Sequence, residues 1–231
     1  MKKRTMFCLP FAGGTKTDFN EFRERFGEVV EVVPLEYSGH GTRFSSPLIT
    51  SFTQIVNDIC RQIRSTCCCD YIIVGHSLGT AVAYEVAYKM TKNYMNPPHK
   101  LILMAQKPPH LQKESTVFIG KSKEEVMKTI YDYGHMPKEI ITQKDLYNIY
   151  SEIIYADICA LNSYSPEVPR EKIDVPFKIF SGESDDGANI KHMSQWSNYT
   201  SQAMELFEIK GGHFFPFEQN KEFFSIMQSI L

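Results

Sequence analysis

An α/β fold, with a mostly parallel central sheet flanked by helices, is what this sequence predicts. Three observations point to it. Short apolar runs alternate with helical patterns along most of the chain. The 231 residues, 42% hydrophobic and 23% charged, suffice for one core of the larger α/β kind. The run Tyr71-Ile72-Ile73-Val74 passes through Gly75-His76-Ser77-Leu78-Gly79 into the helical stretch Thr80-Ala81-Val82-Ala83-Tyr84-Glu85, a strand, turn and helix in succession.

The elements follow in order. Thr5–Pro10 reads as a first core strand: Met1-Lys2-Lys3-Arg4 before it looks like a signal peptide, but Pro10 ends a very short apolar stretch and no small-residue cleavage site follows. A helix is expected at Asp18–Phe26, a strand at Val29–Leu35, a helix at Phe52–Ser65, the strand Tyr71–Val74, a helix at Thr80–Met90 and a strand at Lys100–Ala105. Between Lys107 and Pro169 the alternation stops, and helices at Lys123–Tyr133 and Lys144–Leu161 read as an inserted helical cap, or lid, within a single domain spanning 1–231. Leu146, Ile149, Ile153, Ile154, Ile158 and Leu161 recur at helical spacing, a stripe that would cover the sheet edge or line a hydrophobic channel. Alternation then resumes with a strand at Phe177–Phe180, a helix at Ile190–Ser197, a strand at Met204–Ile209 and a helix at Lys221–Ser229.

Composition excludes several classes. A net charge of −2 without a long Lys/Arg block argues against a nucleic-acid partner. No apolar run approaches the roughly 20 residues of a membrane span, so a soluble, cytoplasmic monomer is expected. Cys8, Cys60, Cys67, Cys68, Cys69 and Cys159 lack the spacing of a zinc site, so no metal is expected, and they read as buried thiols with one exposed thiol in the run of three.

Gly75-His76-Ser77-Leu78-Gly79 carries the chemistry. A serine on a sharp strand-to-helix turn needs small residues two positions away on either side, and it places the Leu78 amide at a helix N-terminus, aimed at a developing oxyanion. This is a nucleophile elbow. A serine hydroxyl needs a histidine to take its proton and a carboxylate to orient that histidine. In elbow hydrolases the chain order is Ser, Asp, His, which selects His213 in Lys210-Gly211-Gly212-His213-Phe214-Phe215 over its nearest rival His192, which falls in a helix. His40, His99, His110 and His135 read as loop or surface residues, and His76 as packing within the elbow. Among Gly182-Glu183-Ser184-Asp185-Asp186, Asp185 is preferred to Asp186, with Glu183 pointing elsewhere. Leu9-Pro10-Phe11-Ala12-Gly13-Gly14 offers the second oxyanion amide, from Ala12 with Phe11 behind it, and lacks the spacing of a phosphate-binding loop.

Taken together, these segments resemble the stand-alone type II thioesterases of non-ribosomal peptide and polyketide synthases, members of the α/β-hydrolase superfamily. The resemblance covers Leu9 to Gly14, Gly75 to Gly79, Lys107-Pro108-Pro109-His110, Tyr155-Ala156-Asp157 with Tyr164, Gly182 to Asp185 and Gly211 to Phe215. It implies an α/β-hydrolase fold and editing hydrolysis of acyl groups on the phosphopantetheine arm of a carrier protein, with acyl-coenzyme A as a poorer substrate. The prosthetic arm belongs to the substrate, so no bound cofactor is implied. Three places depart from the family. Ser38-Gly39-His40-Gly41-Thr42-Arg43 stands where Pro-Gly-Arg and a further arginine are usual, Tyr133-Gly134-His135-Met136-Pro137 where Gly-Gly-Thr-Pro is common, and Tyr155 where an arginine is expected. Asp157, on an apolar helix face, reads as a hydrogen-bonded structural carboxylate. The alternatives are a carboxylesterase or lipase acting on oxygen esters, and a catalytically silent module that binds acylated carriers.

Overall fold

β1 (Thr5–Leu9), β2 (Glu31–Pro34), β3 (Tyr71–His76), β4 (Leu101–Met104), β5 (Phe177–Gly182) and β6 (Met204–Ile209) form one sheet in the order β2-β1-β3-β4-β5-β6. Every neighbouring pair is parallel. The structure is a computed structural model that describes residues 3–66, 69–93, 95–114, 118–134 and 136–231; Met1, Lys2, Cys67, Cys68 and His135 lie outside the described residues.

Helices cover both faces of the sheet. Successive side chains of a strand point to opposite faces, so β1 divides its residues between two cores. Met6 and Cys8 join Phe19, Phe22, Phe26, Phe223 and Phe224, which come from α1 (Asn20–Phe26), the turn before it, and α8 (Lys221–Ile230). Phe7 and Leu9 join Ile55, Ile59, Val82 and Val86 of α2 (Phe52–Ser65) and α3 (Leu78–Lys92). Since both faces are buried, β1, β3 and β4 are apolar along most of their length rather than alternately.

Boundaries differ from expectation where local hydrogen bonds decide them. Val29 and Val30 both donate to the Phe26 carbonyl, which holds them in the turn after α1 and delays β2 to Glu31. β5 runs on to Gly182 because Ser181 and Gly182 still pair with Glu208 and Ile209 of β6. The expected helix at Ile190–Ser197 is α7 (Ile190–Ser194) followed by a 3-10 turn over Gln195–Asn198.

Between β4 and β5 lie α4 (Lys123–Asp132), the unanticipated α5 (Lys138–Thr142) and α6 (Lys144–Asn162). Val126 and Met127 of α4 pack on Ile154 and Ile158 of α6 in a small cluster of their own. The C-terminal end of α6 is tied to the body. Ala160 belongs to the main core, and Ser163 beyond it accepts the Phe52 amide proton at the start of α2. The Tyr164 hydroxyl donates to Glu85, which Arg170 also contacts.

The position of the site follows from the strand order. The chain leaves β1 for one neighbour, β2, and returns on the other side as β3, so a crevice opens beyond the carboxyl ends of β1 and β3. Both motif-bearing loops, after Leu9 and after His76, end there. Among the described residues, no helix is long and apolar enough to cross a membrane.

Candidate active site

Ser77 links β3 to α3 with φ 54° and ψ −119°, a conformation that side-chain-bearing residues rarely adopt. The surroundings hold it there. The Ser77 amide donates to the Met104 carbonyl at 3.0 Å. The buried Thr80 hydroxyl lies 2.7 and 2.6 Å from the Gly75 and Met104 carbonyls and accepts from the Met104 amide at 3.0 Å. A Cβ on Gly75 would stand 2.3 Å from the Gly79 carbonyl oxygen, and one on Gly79 would stand 2.2 Å from that of Leu9. Neither contact is possible, so glycine is required at both positions.

The partners arrive from the ends of β5 and β6. Asp185 follows β5, and its Oδ1 accepts the Ala188 amide proton at 3.1 Å, which fixes the carboxylate. Its Oδ2 lies 2.8 Å from Nδ1 of His213, and Nε2 of His213 lies 3.0 Å from the Ser77 hydroxyl oxygen. The Asp185 side chain is 1% exposed and that of His213 14%. The two loops are joined by backbone bonds from Glu183 to Ile209 and from Ser184 to Gly211. His76, fully buried, donates from Nε2 to the His213 carbonyl at 2.7 Å, so it anchors the histidine loop besides packing in the elbow. Such a chain of contacts can draw the proton from a hydroxyl while a buried carboxylate stabilises the charged imidazole.

Ser77 and His213 face a cavity of about 510 Å³, whose wall includes Phe118, Ile130, Ile154, Ile158 and Leu161. Leu78, first residue of α3, and Ala12 border the same space. Of the expected α6 stripe, Ile154, Ile158 and Leu161 reach this cavity. Ile149 and Ile153 line a smaller neighbouring one, Ile149 being largely exposed, and Leu146 is half-buried.

The remaining candidates stand elsewhere. Glu183 and Asp186 are exposed, Asp186 at the cavity rim. His192 lies on α7 and also borders the cavity. His99 is exposed, while His110 is half-buried between Tyr199 and Gln195, 2.9 and 2.8 Å away. His40 is on a loop as expected, yet it is buried rather than at the surface, because Asp157 pairs with it. Cys8 and Cys60 are buried, Cys159 is half-buried and Cys69 exposed; burial pushes the Cys60 thiol up.

Comparison with known proteins bears on this geometry. The Thioesterase domain family matches residues 4–231, nearly the whole chain. The chain belongs to the thioesterase family. This thioesterase is similar to the gramicidin S biosynthesis protein GrsT of Aneurinibacillus migulanus, 24% identical over 226 residues, 97% of this chain and 88% of that protein. It is also 24% identical to the medium-chain S-acyl fatty acid synthase thioesterase of Homo sapiens, over 94% and 82% of the two chains. Among solved structures, the RedJ thioesterase from the prodiginine pathway of Streptomyces coelicolor superposes with a TM-score of 0.88 at 24% identity, over 99% and 85% of the chains. ClbQ from the colibactin pathway does so with 0.88 at 23%, over 99% and 95%. Both likenesses carry the α/β-hydrolase fold.

Two contacts of this thioesterase were not legible in its motifs. Tyr133, just beyond α4, stacks on His213 with ring centroids 5.0 Å apart and planes 23° from parallel. Burial, with the Asp185 charge, raises its phenol above the ordinary value, so it stays neutral. Asp157 of α6 accepts the Gly13 amide proton at 2.7 Å, which ties the loop after β1 to α6. The sequence carried a signal for the second alone, a carboxylate on an apolar helix face.

Proposed function

We propose that this thioesterase hydrolyses acyl groups from the phosphopantetheine arm of carrier proteins, through a Ser77, His213 and Asp185 triad and an acyl-enzyme intermediate. The observation that carries the reading is the unbroken contact path from Asp185 through His213 to Ser77, at 2.8 and 3.0 Å, facing a largely apolar cavity. Family membership supplies the thioester. GrsT, named for gramicidin S biosynthesis, and ClbQ, from the colibactin NRPS/PKS pathway, support a carrier-bound substrate and an editing role.

In this mechanism His213 Nε2 takes the Ser77 proton as the oxygen attacks the thioester carbonyl. The Leu78 and Ala12 amides hold the oxyanion, an effect of roughly 3–4 kcal/mol for one such donor. The tetrahedral intermediate expels the phosphopantetheine thiol, whose ordinary pKa of about 8.5 makes it a better leaving group than an alcohol. His213 returns the proton to that sulfur. Water then enters, loses a proton to His213 and attacks the ester on Ser77, releasing the acid and the free serine. The segment from 107 to 169 serves as a lid over the acyl channel, and the reaction takes place in the cytoplasm.

The test is a panel of acyl-loaded carrier domains beside matched oxygen esters, with fluorophosphonate labelling of the protein. The reading expects faster release from the carriers and stoichiometric labelling that disappears in Ser77→Ala. Faster cleavage of the oxygen esters would assign a carboxylesterase. Absence of labelling would indicate a binding module.

A further inference from the structure

His40, 1% exposed on the loop after β2, meets Asp157 of α6, also 1% exposed. Its Nε2 lies 2.9 Å from Oδ2 of Asp157, and its Nδ1 lies 3.1 Å from the Ser38 carbonyl oxygen. A carbonyl and a carboxylate oxygen only accept hydrogen bonds, while a neutral imidazole has one N–H to give. With Asp157 ionised, both contacts are hydrogen bonds only when both ring nitrogens carry protons, the arrangement of a buried imidazolium.

The other side of this pair reaches the active site. The Oδ2 that faces His40 also accepts the Gly13 amide proton at 2.7 Å. Gly13 has φ 79°, and a Cβ there would stand 2.5 Å from Cγ1 of Ile154, so α6 presses on the loop as well as bonding to it. Ala12, the adjacent residue, borders the cavity beside Ser77. Three segments distant in sequence, around residues 13, 40 and 157, thus meet on one carboxylate.

We propose that His40 and Asp157 are positioning residues: a buried imidazolium and carboxylate pair that fixes the loop after β1, and with it the Ala12 amide, for oxyanion stabilisation. The proposal rests on the serine-hydrolase reading above and adds a pH-sensitive element to it. Groups facing His40 are Asp157 from α6, Glu36 and the edge of the Tyr37 ring from its own loop, and Tyr150 of α6 across the small cavity. Glu36 accepts from the Thr42 amide and from Lys16, and the Tyr37 hydroxyl donates to the Pro10 carbonyl. Burial acts to push the His40 imidazole down, but the Asp157 charge and hydrogen bond, the Ser38 carbonyl and Glu36 outweigh it and raise His40 above its ordinary value. The sign follows. The pair is fully formed below the unfolded-state value of about 6.5 and is lost as pH rises through the raised folded value.

Two measurements test this. In protein labelled with ¹⁵N-histidine, near pH 7, His40 should show protons on both ring nitrogens, identified by their loss in His40→Gln. A His40 with one N–H would overturn the proposal without touching the triad. Turnover of p-nitrophenyl butyrate, which does not depend on the carrier, supplies the second. His40→Gln and Asp157→Asn should lower kcat about 10²-fold, the scale for a misplaced group near the reacting atoms, with little change in KM. His40→Arg, with a permanent charge, should keep the neutral-pH rate and remove the decline that the proposal expects of the wild type at high pH. Unchanged kcat in folded His40→Gln, or a persistent alkaline decline in His40→Arg, would refute it. If His40→Arg does not fold, the ring-nitrogen spectrum decides, while fluorophosphonate labelling of Ser77 reports separately on the triad.

Discussion

Two adjacent aspartates illustrate what one position along a loop decides. Asp185 turns inward to His213 and the Ala188 amide, while Asp186 is exposed at the cavity rim. Asp185→Asn should therefore lower kcat by about 10⁴-fold, as expected where the histidine loses its orienting carboxylate. Asp186→Asn should leave it nearly unchanged; steady-state kinetics of the two variants, side by side, checks the assignment. Thr80 offers a test of a different kind. Its hydroxyl sits between the Gly75 and Met104 carbonyls, so Thr80→Val, nearly equal in shape, leaves buried backbone groups poorly satisfied at a cost of about 1–3 kcal/mol. Urea denaturation should show that loss, and relaxed elbow geometry should lower kcat with it.

At the scale of elements, the contact to test is between the segment that follows α4 and His213. Tyr133 lies just beyond α4 and stacks on His213 in the loop after β6. An aromatic pair of this kind is worth about 0.5–1.5 kcal/mol, so Tyr133→Ala should lower kcat/KM by up to about tenfold and Tyr133→Phe hardly at all. Equal effects of the two variants would show that the hydroxyl, not the ring, matters. Nothing in Tyr133-Gly134-His135-Met136-Pro137 announces this contact, because stacking across two distant segments leaves no local pattern. The strands and long helices were legible for the opposite reason: periodicity and apolar runs are local consequences of burial. The five-residue α5 is too short to show a period, and Val29 reads as strand by composition although hydrogen bonds to Phe26 place it otherwise. The glycines before His213 were read alike, yet only Gly211, at φ 132°, has a backbone that excludes other residues.

For the whole molecule, two cores on opposite faces of one parallel sheet hold β1, β3, β5 and β6 in register, and the loops that leave them carry the site. Phe22 stands at the centre of one core, its ring against those of Phe19, Phe26, Phe217, Phe223 and Phe224. Phe22→Ala should cost about 3–5 kcal/mol, a large share of the roughly 5–15 kcal/mol of a typical domain, and lower the urea midpoint accordingly. Because Phe217 also touches Phe11 and His76, the loss should reach the histidine loop. The candidate set Ser77, Asp185 and His213, which the structure brings within hydrogen-bond distance, could be picked out in the sequence because a turn of this kind demands glycines on both sides and a fixed chain order of partners. His40 was read as a loop or surface residue, since its burial depends on a helix more than a hundred residues away. The most direct measurement is mass spectrometry of the protein mixed for a short time with an acyl-phosphopantetheinyl carrier domain. The account predicts free acid, unloaded carrier and a transient acyl adduct on the peptide that contains Ser77, all absent in Ser77→Ala. An adduct on another residue, or acid released at the wild-type rate by Ser77→Ala, would contradict it.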